Sequence, residues 1–380
     1  FSASKPGAGT FTYNPDKDGY KRESASGQLG LTVANGHELG LVFLQSRLDA
    51  QFDAGLGLDD RMVQKLENIA LFSKNQLTQT WKSQFQIAQT ADKNHTDASY
   101  GVSDIDTKQT HLSWQNDVAI GNDVLQMILE RREEKLDSTN ANLVGKRITN
   151  SVAASYQLRQ GNHLASFALR KDHSDQFGSH TTGNIDYGYR ITDALRVNAS
   201  AGTSFRVPTF YEFSLPYGIA ANKPEKGKNA EVGIYYANKE SQLSAVYYRN
   251  HITDLLVFAS PCPVEVATHP YGCSYNVDQA LLTGVTLSAS TKRNQFTLRG
   301  TLDLQDPRDE TTNKRLARRA REHGSLALEY TANAANVGAE FVFSSHRFDD
   351  ISNRNRLGGY GLLNLYANYD LGQNWSLFVR

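Results

Sequence analysis

The stretch Leu195-Arg196-Val197-Asn198-Ala199-Ser200-Ala201-Gly202-Thr203-Ser204-Phe205 decides the fold class. Its odd positions read Leu195, Val197, Ala199, Ala201, Thr203 and Phe205, whereas its even positions are charged, polar or small. A period of two is that of a β-strand with one apolar and one wet face. The same alternation returns in Ala230, Val232, Ile234 and Tyr236, and in Phe296, Leu298, Gly300 and Leu302. Val337, Ala339, Phe341 and Phe343 repeat it, as do Trp375, Leu377 and Val379.

Composition says which strand-rich proteins remain. The 380 residues carry 40 Lys+Arg against 40 Asp+Glu, a net charge of zero, so no basic excess points to a nucleic acid. Hydrophobic residues make up 39% and the mean hydropathy is -0.51, too polar for helical membrane spans. A membrane β-barrel is compatible with these values, because only every second strand residue must face lipid. The 18 Tyr, 17 Phe and 29 Gly fit that reading. The chain contains no linker or composition shift at which to divide it, and no signal peptide opens it.

The connections separate a barrel from a soluble sheet protein. Tight turns are expected near Asn35-Gly36, Lys74-Asn75, Gly121-Asn122, Gln160-Gly161, Thr192-Asp193, Asn238-Lys239, Lys292-Arg293, Ala332-Asn333 and Leu371-Gly372. Long polar stretches alternate with them, around 52–60, 91–107, 136–147, 173–182, 207–227, 251–278, 304–319 and 344–357. Short turns on one rim and long loops on the other are the periplasmic and extracellular sides of an outer-membrane barrel. Two strands per tight turn give about eighteen strands, each near the ~10 residues of a tilted membrane strand.

Gln176-Phe177-Gly178 through His180-Thr181-Thr182, then Gly202 to Pro208, then Lys223-Pro224-Glu225-Lys226 followed by Glu231, resemble the central barrel signature of TonB-dependent receptors. Tyr248-Arg249-Asn250, Asp254-Leu255-Leu256, Asn276, Thr283-Gly284-Val285-Thr286, and Leu316 with Arg318-Arg319-Ala320-Arg321, resemble its successive strand starts. The Gln-Phe-Gly form and the loop Asp16-Lys17-Asp18-Gly19-Tyr20 resemble the cobalamin-transporter branch. The resemblance implies an all-β, transmembrane antiparallel barrel in which residues 1–380 are a partial barrel domain. Placed on the family's 22-stranded, plugged barrel, Phe1 to Gly19 would be the second extracellular loop and Tyr20 to Arg380 strands four to twenty-one. The plug and roughly three strands would then precede the chain, and about one strand would follow it.

Catalytic chemistry is not found in the sequence. His37-Glu38 lacks the second His of a zinc helix, Gly55-Leu56-Gly57 lacks the third Gly of a nucleotide loop, and no Gly-x-Ser-x-Gly occurs. The chain reads as a non-enzyme without a redox or nucleotide cofactor. Asp16 and Asp18 flank a turn, and Asp59-Asp60 lies in the next long stretch. Carboxylates so placed suit calcium, which the resemblance also implies at these loops; an Asx-type turn is the other reading. Where the family has a further acidic ligand this chain offers Ser2.

Cys262 and Cys273, the two cysteines, share one long stretch and read as a disulfide rather than two thiols, contributing about 3 kcal/mol against local unfolding. Lys314, Arg315, Arg318, Arg319 and Arg321 read as rim charges paired with Asp303, Asp306, Asp309 and Glu310, or as a contact for lipopolysaccharide phosphates. Trp81, Trp114, Tyr235, Tyr236, Tyr247, Tyr248, Tyr330 and Trp375 are expected at the membrane interfaces. Tyr211, Phe213, Tyr217 and Tyr271 fall in long outer loops, where a large, partly apolar corrinoid could pack on them.

The function these features imply is an energised Gram-negative outer-membrane receptor that imports cobalamin, with a plug segment pulled by TonB. A siderophore receptor of the same superfamily shares every motif quoted and is the alternative. A passive porin and an adhesin or phage-docking surface are the other classes; a plug and a TonB-contacting segment in the complete gene product would eliminate the porin.

Overall fold

The computed structural model describes residues 17–55, 58–372 and 374–380. The first ten strands are β1 (Tyr20–Ala34), β2 (His37–Gly55), β3 (Leu58–Gln76), β4 (Trp81–Ala98), β5 (Gly101–Ile120), β6 (Asp123–Ser138), β7 (Gly145–Gln160), β8 (His163–Ser174), β9 (Gly178–Arg190) and β10 (Leu195–Arg206). One turn of helix, α1 (Phe210–Phe213), leads to β11 (Glu225–Ala237), β12 (Ser241–Ala259), β13 (Cys273–Arg293), β14 (Phe296–Asp309) and β15 (Glu322–Ala332). Then come β16 (Ala335–Ser344), the two-residue β17 (Arg347–Phe348) and β18 (Arg356–Leu357), β19 (Tyr360–Gly372) and β20 (Trp375–Val379). Eighteen strands belong to one sheet, while β17 and β18 pair with each other. The all-β class and the expected strand number both agree with this.

The chain divides into two compact units. One comprises residues 1–156, 169–181 and 209–221; the other comprises 157–168, 182–208 and 222–380. In the first, the antiparallel registers β1 to β5 align Leu29, Leu41, Leu71, Ile87 and Leu112 in one transverse row. In the second, the registers β10 to β14 align Ala199, Val232, Tyr247, Val285 and Leu304 in the same way. These are not core rows: Leu29 is 68% exposed and Val232 60%. A continuous exposed apolar sheet face is what a lipid-facing wall requires. The opposite faces carry the polar positions, such as Asn198, Ser200 and Ser204 opposite Gly233, Glu231 and Gly227.

Two expectations are corrected. Strands run well past ten residues, to 20 in β5 and 21 in β13. Much of the stretches 52–60, 91–107 and 173–182 is therefore strand rather than loop, since β2 continues to Gly55 and β4 to Ala98. Beyond the lipid both faces meet water, so the alternation fades while the backbone ladder continues. The turns expected at Lys74-Asn75 and Lys292-Arg293 fall slightly later. At the first, Thr78 Oγ1 accepts from the amides of Thr80 and Trp81 and closes the chain there. At the second, Asn294 supplies the left-handed conformation, φ 54°.

Tyr235 and Tyr248 are likewise not girdle residues. Neighbouring tyrosines on a strand point to opposite faces, so only Tyr236 and Tyr247 of the two pairs join the apolar side. Tyr235 instead lies 4.8 Å from the Arg196 guanidinium, and the Tyr248 hydroxyl donates to Asp303 at 3.4 Å.

Candidate functional site

The long-loop end of the first unit is organised around Arg147, near the start of β7 and buried. Its guanidinium lies 5.1 Å from the Phe177 ring centre and 4.8 Å from that of Phe210, and Nε donates to Gln176 Oε1 at 3.0 Å. Local chemistry sets each partner. Ser174 Oγ accepts from the Gln176 and Phe177 amides, and Asp175 bonds back to Ile148 through both backbone and carboxylate. Phe210 fits because position 145 is glycine; a β-carbon there would lie 2.5 Å from its ring.

Helix α1 survives at four residues because Thr209 and Glu212 form a capping box. Thr209 Oγ1 accepts from the Glu212 amide at 3.2 Å, and the Glu212 carboxylate accepts from the Thr209 amide at 2.8 Å. The helix presents Phe213 edge-on to Phe177 at 5.5 Å and stacks Tyr211 on Tyr217 at 5.5 Å, 19° from parallel. Gly218 closes the segment, its amide donating to Ser214 O at 2.7 Å where a side chain would collide with the backbone. Burial, then Tyr217 and Tyr100, push the Tyr211 hydroxyl above the usual tyrosine range. Tyr211, 44% exposed, and Tyr100, 83% exposed, thus offer ring surface to solvent.

Of the expected ligand-contact residues, Tyr211, Phe213 and Tyr217 are brought together; Tyr271 belongs to the second unit, exposed in the loop beside the disulfide. Arg147, Phe177, Phe210 and Tyr100 were not singled out from the sequence as site residues. The Thr209-x-x-Glu212 spacing was the signal that could have located the helix.

The calcium candidates separate. Asp16 lies outside the described residues. Asp18 precedes Gly19, whose backbone is bonded to Gln51 in both directions, through N to Oε1 at 3.1 Å and through O from N at 3.0 Å. The β2–β3 register then sets Asp60 opposite Phe52 and Asp59 opposite Asp53, so Asp59 and Asp60 face opposite sides. Asp60 is 1% exposed; Oδ1 accepts from the Ser99 amide at 2.8 Å, and Oδ2 has no partner among the described residues. Among those residues no group of three or more acidic, His or Cys side chains is assembled for a metal.

In the second unit the signature residues converge on the backbone. Arg206 grips Glu225 with two bonds, 2.9 and 2.7 Å, and Glu225 Oε1 also accepts from the Leu256 amide at 2.8 Å. Asn276 accepts from the Lys223 amide at 2.8 Å and donates to the carbonyls of Lys223 and Asp254, at 3.0 and 2.7 Å. Cys262 and Cys273 are disulfide-bonded and fully buried, Cα atoms 5.0 Å apart. In the basic cluster, Arg318 pairs with Asp349 at 2.8 Å and Arg321 with Asp306 at 3.8 Å. Of the five cations, Arg321 thus meets an expected partner, Asp306, and Arg318 meets Asp349, a partner the sequence did not suggest.

Residues 1–380 match the family described as TonB dependent receptor-like, beta-barrel, and the chain belongs to that family. Its strands are therefore those of a bacterial outer-membrane barrel; among the described residues no helix is long and apolar enough to cross a membrane. The chain is 27% identical to the vitamin B12 transporter BtuB of Photobacterium profundum, over 97% of this chain and 61% of that protein. It is 31% identical to the vitamin B12 transporter BtuB of Vibrio vulnificus, over 57% of this chain and 34% of that protein. It thus spans about three-fifths of the first relative's length and a third of the second's. A crystal structure of a mutant ferric enterobactin receptor from Pseudomonas aeruginosa superposes with a TM-score of 0.82 at 14% identity, over 98% of this chain and 65% of that one, which establishes a shared fold.

Proposed function

We propose that this chain forms most of the wall of an energised outer-membrane importer whose ligand is cobalamin. The observation that carries the reading is that both curated relatives above are vitamin B12 transporters, one of them aligned along nearly the whole chain. The stacked pair of Tyr211 and Tyr217 supports it, because flat, partly exposed rings suit a large corrinoid with apolar edges. Outer loops capture the ligand, and TonB, driven from the inner membrane, acts through a plug segment to let it pass.

Calcium extends the proposal. Asp60 of β3, with one buried carboxylate oxygen unsatisfied among the described residues, offers a hard oxygen ligand, and Asp18 leads into β1, on the other side of β2. Bound with Asp16 and Asp18, an ion would hold the two segments in place before ligand arrives, so their ordering cost is not taken from ligand affinity. In the full-length receptor, Asp16→Ala with Asp18→Ala then abolishes the calcium dependence of cobalamin affinity; wild-type affinity unchanged by a chelator leaves Asp16-Lys17-Asp18-Gly19 as an ordinary turn.

Competition tests the ligand itself. Purified full-length receptor is expected to bind cobalamin and to keep it against excess ferric siderophore. Displacement by the ferric chelate, or binding of the chelate alone, assigns the protein to siderophore uptake instead.

A further inference from the structure

Arg147 is buried where an apolar side chain would fill the space with no charge to desolvate. It is 2% exposed, and taking a guanidinium out of water is unfavourable. Burial pulls its pKa below the ordinary arginine range, with Glu134 acting in the other direction. What the cation supplies is geometry. Its plane lies 5.1 Å from the Phe177 ring centre and 4.8 Å from that of Phe210, while Nε is tied to Gln176 Oε1 at 3.0 Å. A planar group between two rings, fixed by one directional bond, admits few orientations, whereas an aliphatic chain admits many.

The two rings it touches bear on the helix that carries the tyrosines. Four residues make too short a helix to hold itself, so α1 depends on what it packs against. Phe210 and Phe213, three apart, share one helix face, and Tyr211 lies about 100° around the axis from Phe210. Phe210 sits against Arg147 in the space left by Gly145, and Phe213 meets Phe177 edge-on at 5.5 Å. After the helix the chain folds back on it. The Gly218 amide donates to Ser214 O at 2.7 Å and the Ile219 amide to Glu212 O at 3.2 Å, and Tyr217 is returned onto Tyr211. Residues 209–219 thus form one small body whose two phenylalanines rest on the Arg147 assembly.

We propose that Arg147 is a positioning residue for the ligand: through Phe210 and Phe177 it fixes where residues 209–219 present the Tyr211–Tyr217 pair, without touching the ligand itself. That role rests on the pair being the cobalamin-binding surface. Rings held in place beforehand lose little freedom when a corrinoid covers them, whereas a loosened segment must be ordered at the expense of affinity.

Three measurements on the full-length receptor test this: equilibrium affinity for cobalamin, hydrogen exchange of the Ser214, Gly218 and Ile219 amides, and the thermal midpoint. Arg147→Met fills the space without the plane or the bond. It should weaken cobalamin binding about fivefold and speed exchange of the three amides to a similar degree, with the midpoint close to that of the wild type. Arg147→Lys, which keeps the charge alone, should restore neither. Gly145→Ala, whose β-carbon takes the Phe210 seat while Arg147 stays, should reproduce both losses. In a Tyr211→Ala, Tyr217→Ala background Arg147→Met should weaken binding no further, because it acts through that pair. Wild-type binding or wild-type exchange in Arg147→Met, full rescue by Arg147→Lys, or a loss that adds in full to that of the tyrosine variant overturns the proposal. A wild type without cobalamin affinity sinks the ligand reading alone, and the positioning role then stands or falls on the amide exchange of Arg147→Met.

Discussion

The long-loop ends of the two units are built by opposite means. In the second unit, Glu225 and Asn276 spend their polar atoms on backbone amides, carbonyls and one arginine, and a disulfide closes the neighbouring loop. In the first, Arg147 is enclosed by ring faces, and the rings beyond it, Tyr211 and Tyr100, stay partly in water. Bonds to backbone fix where a chain goes and leave no group over for a ligand. Rings held in place but half exposed retain surface to bury. The family signature is thus largely a set of backbone clamps, which explains how it can identify a barrel and be shared by receptors for different ligands.

That contrast can be broken by substitution. The largest effect is expected from Cys262→Ser with Cys273→Ser, which should lower local stability of the 260–272 loop by about 3 kcal/mol, read as faster proteolysis of that loop while the barrel stays heat-resistant. Glu225→Ala should follow at roughly 2 kcal/mol, because the Leu256 amide and the Arg206 guanidinium lose one charged acceptor together; part of the Arg206 share is discounted for its exposure. Arg147→Leu should stay within about 1 kcal/mol, since removing the buried cation also removes its desolvation cost. A thermal shift as large for Arg147→Leu as for Glu225→Ala would erase the distinction between the two ends.

The smallest effect is one of pH. Burial acts to raise the Asp350 carboxyl, yet bonds from the amides of Asn355, at 2.6 Å, and Arg354, at 3.0 Å, hold it below the usual aspartate range. A group lowered on folding stabilises its loop above the unfolded pKa and loses that contribution as pH falls through the folded value. Amide exchange at Arg354 and Asn355 should therefore be slow near neutrality and quicken only below the ordinary aspartate pKa. Rates independent of pH, after correction for intrinsic exchange, would reject the assignment.

Strand and class were legible because period two survives in short segments such as Leu195 to Phe205. The lengths of the hairpins were not, since Ala91 to Ala98 is polar on both faces although its backbone ladder continues. The disulfide was readable from there being two cysteines in one stretch. Arg147 was not, because its burial comes from Phe177 and Phe210, distant in sequence, and one arginine in a polar stretch carries no mark of that. Tyr211, Phe213 and Tyr217 stood out as loop aromatics, but only the fold shows Tyr211 stacked on Tyr217 and Phe213 set edge-on to Phe177.

The central claim is that the exposed rings of the first unit carry the ligand. Its most direct test is the equilibrium affinity of full-length receptor for cobalamin, measured for the wild type and for Tyr211→Ala with Tyr217→Ala, alongside the thermal midpoint of each. Loss of the stacked pair should weaken binding by about tenfold or more with the midpoint unchanged. An affinity equal to that of the wild type, in a protein that has lost both rings, would contradict the account.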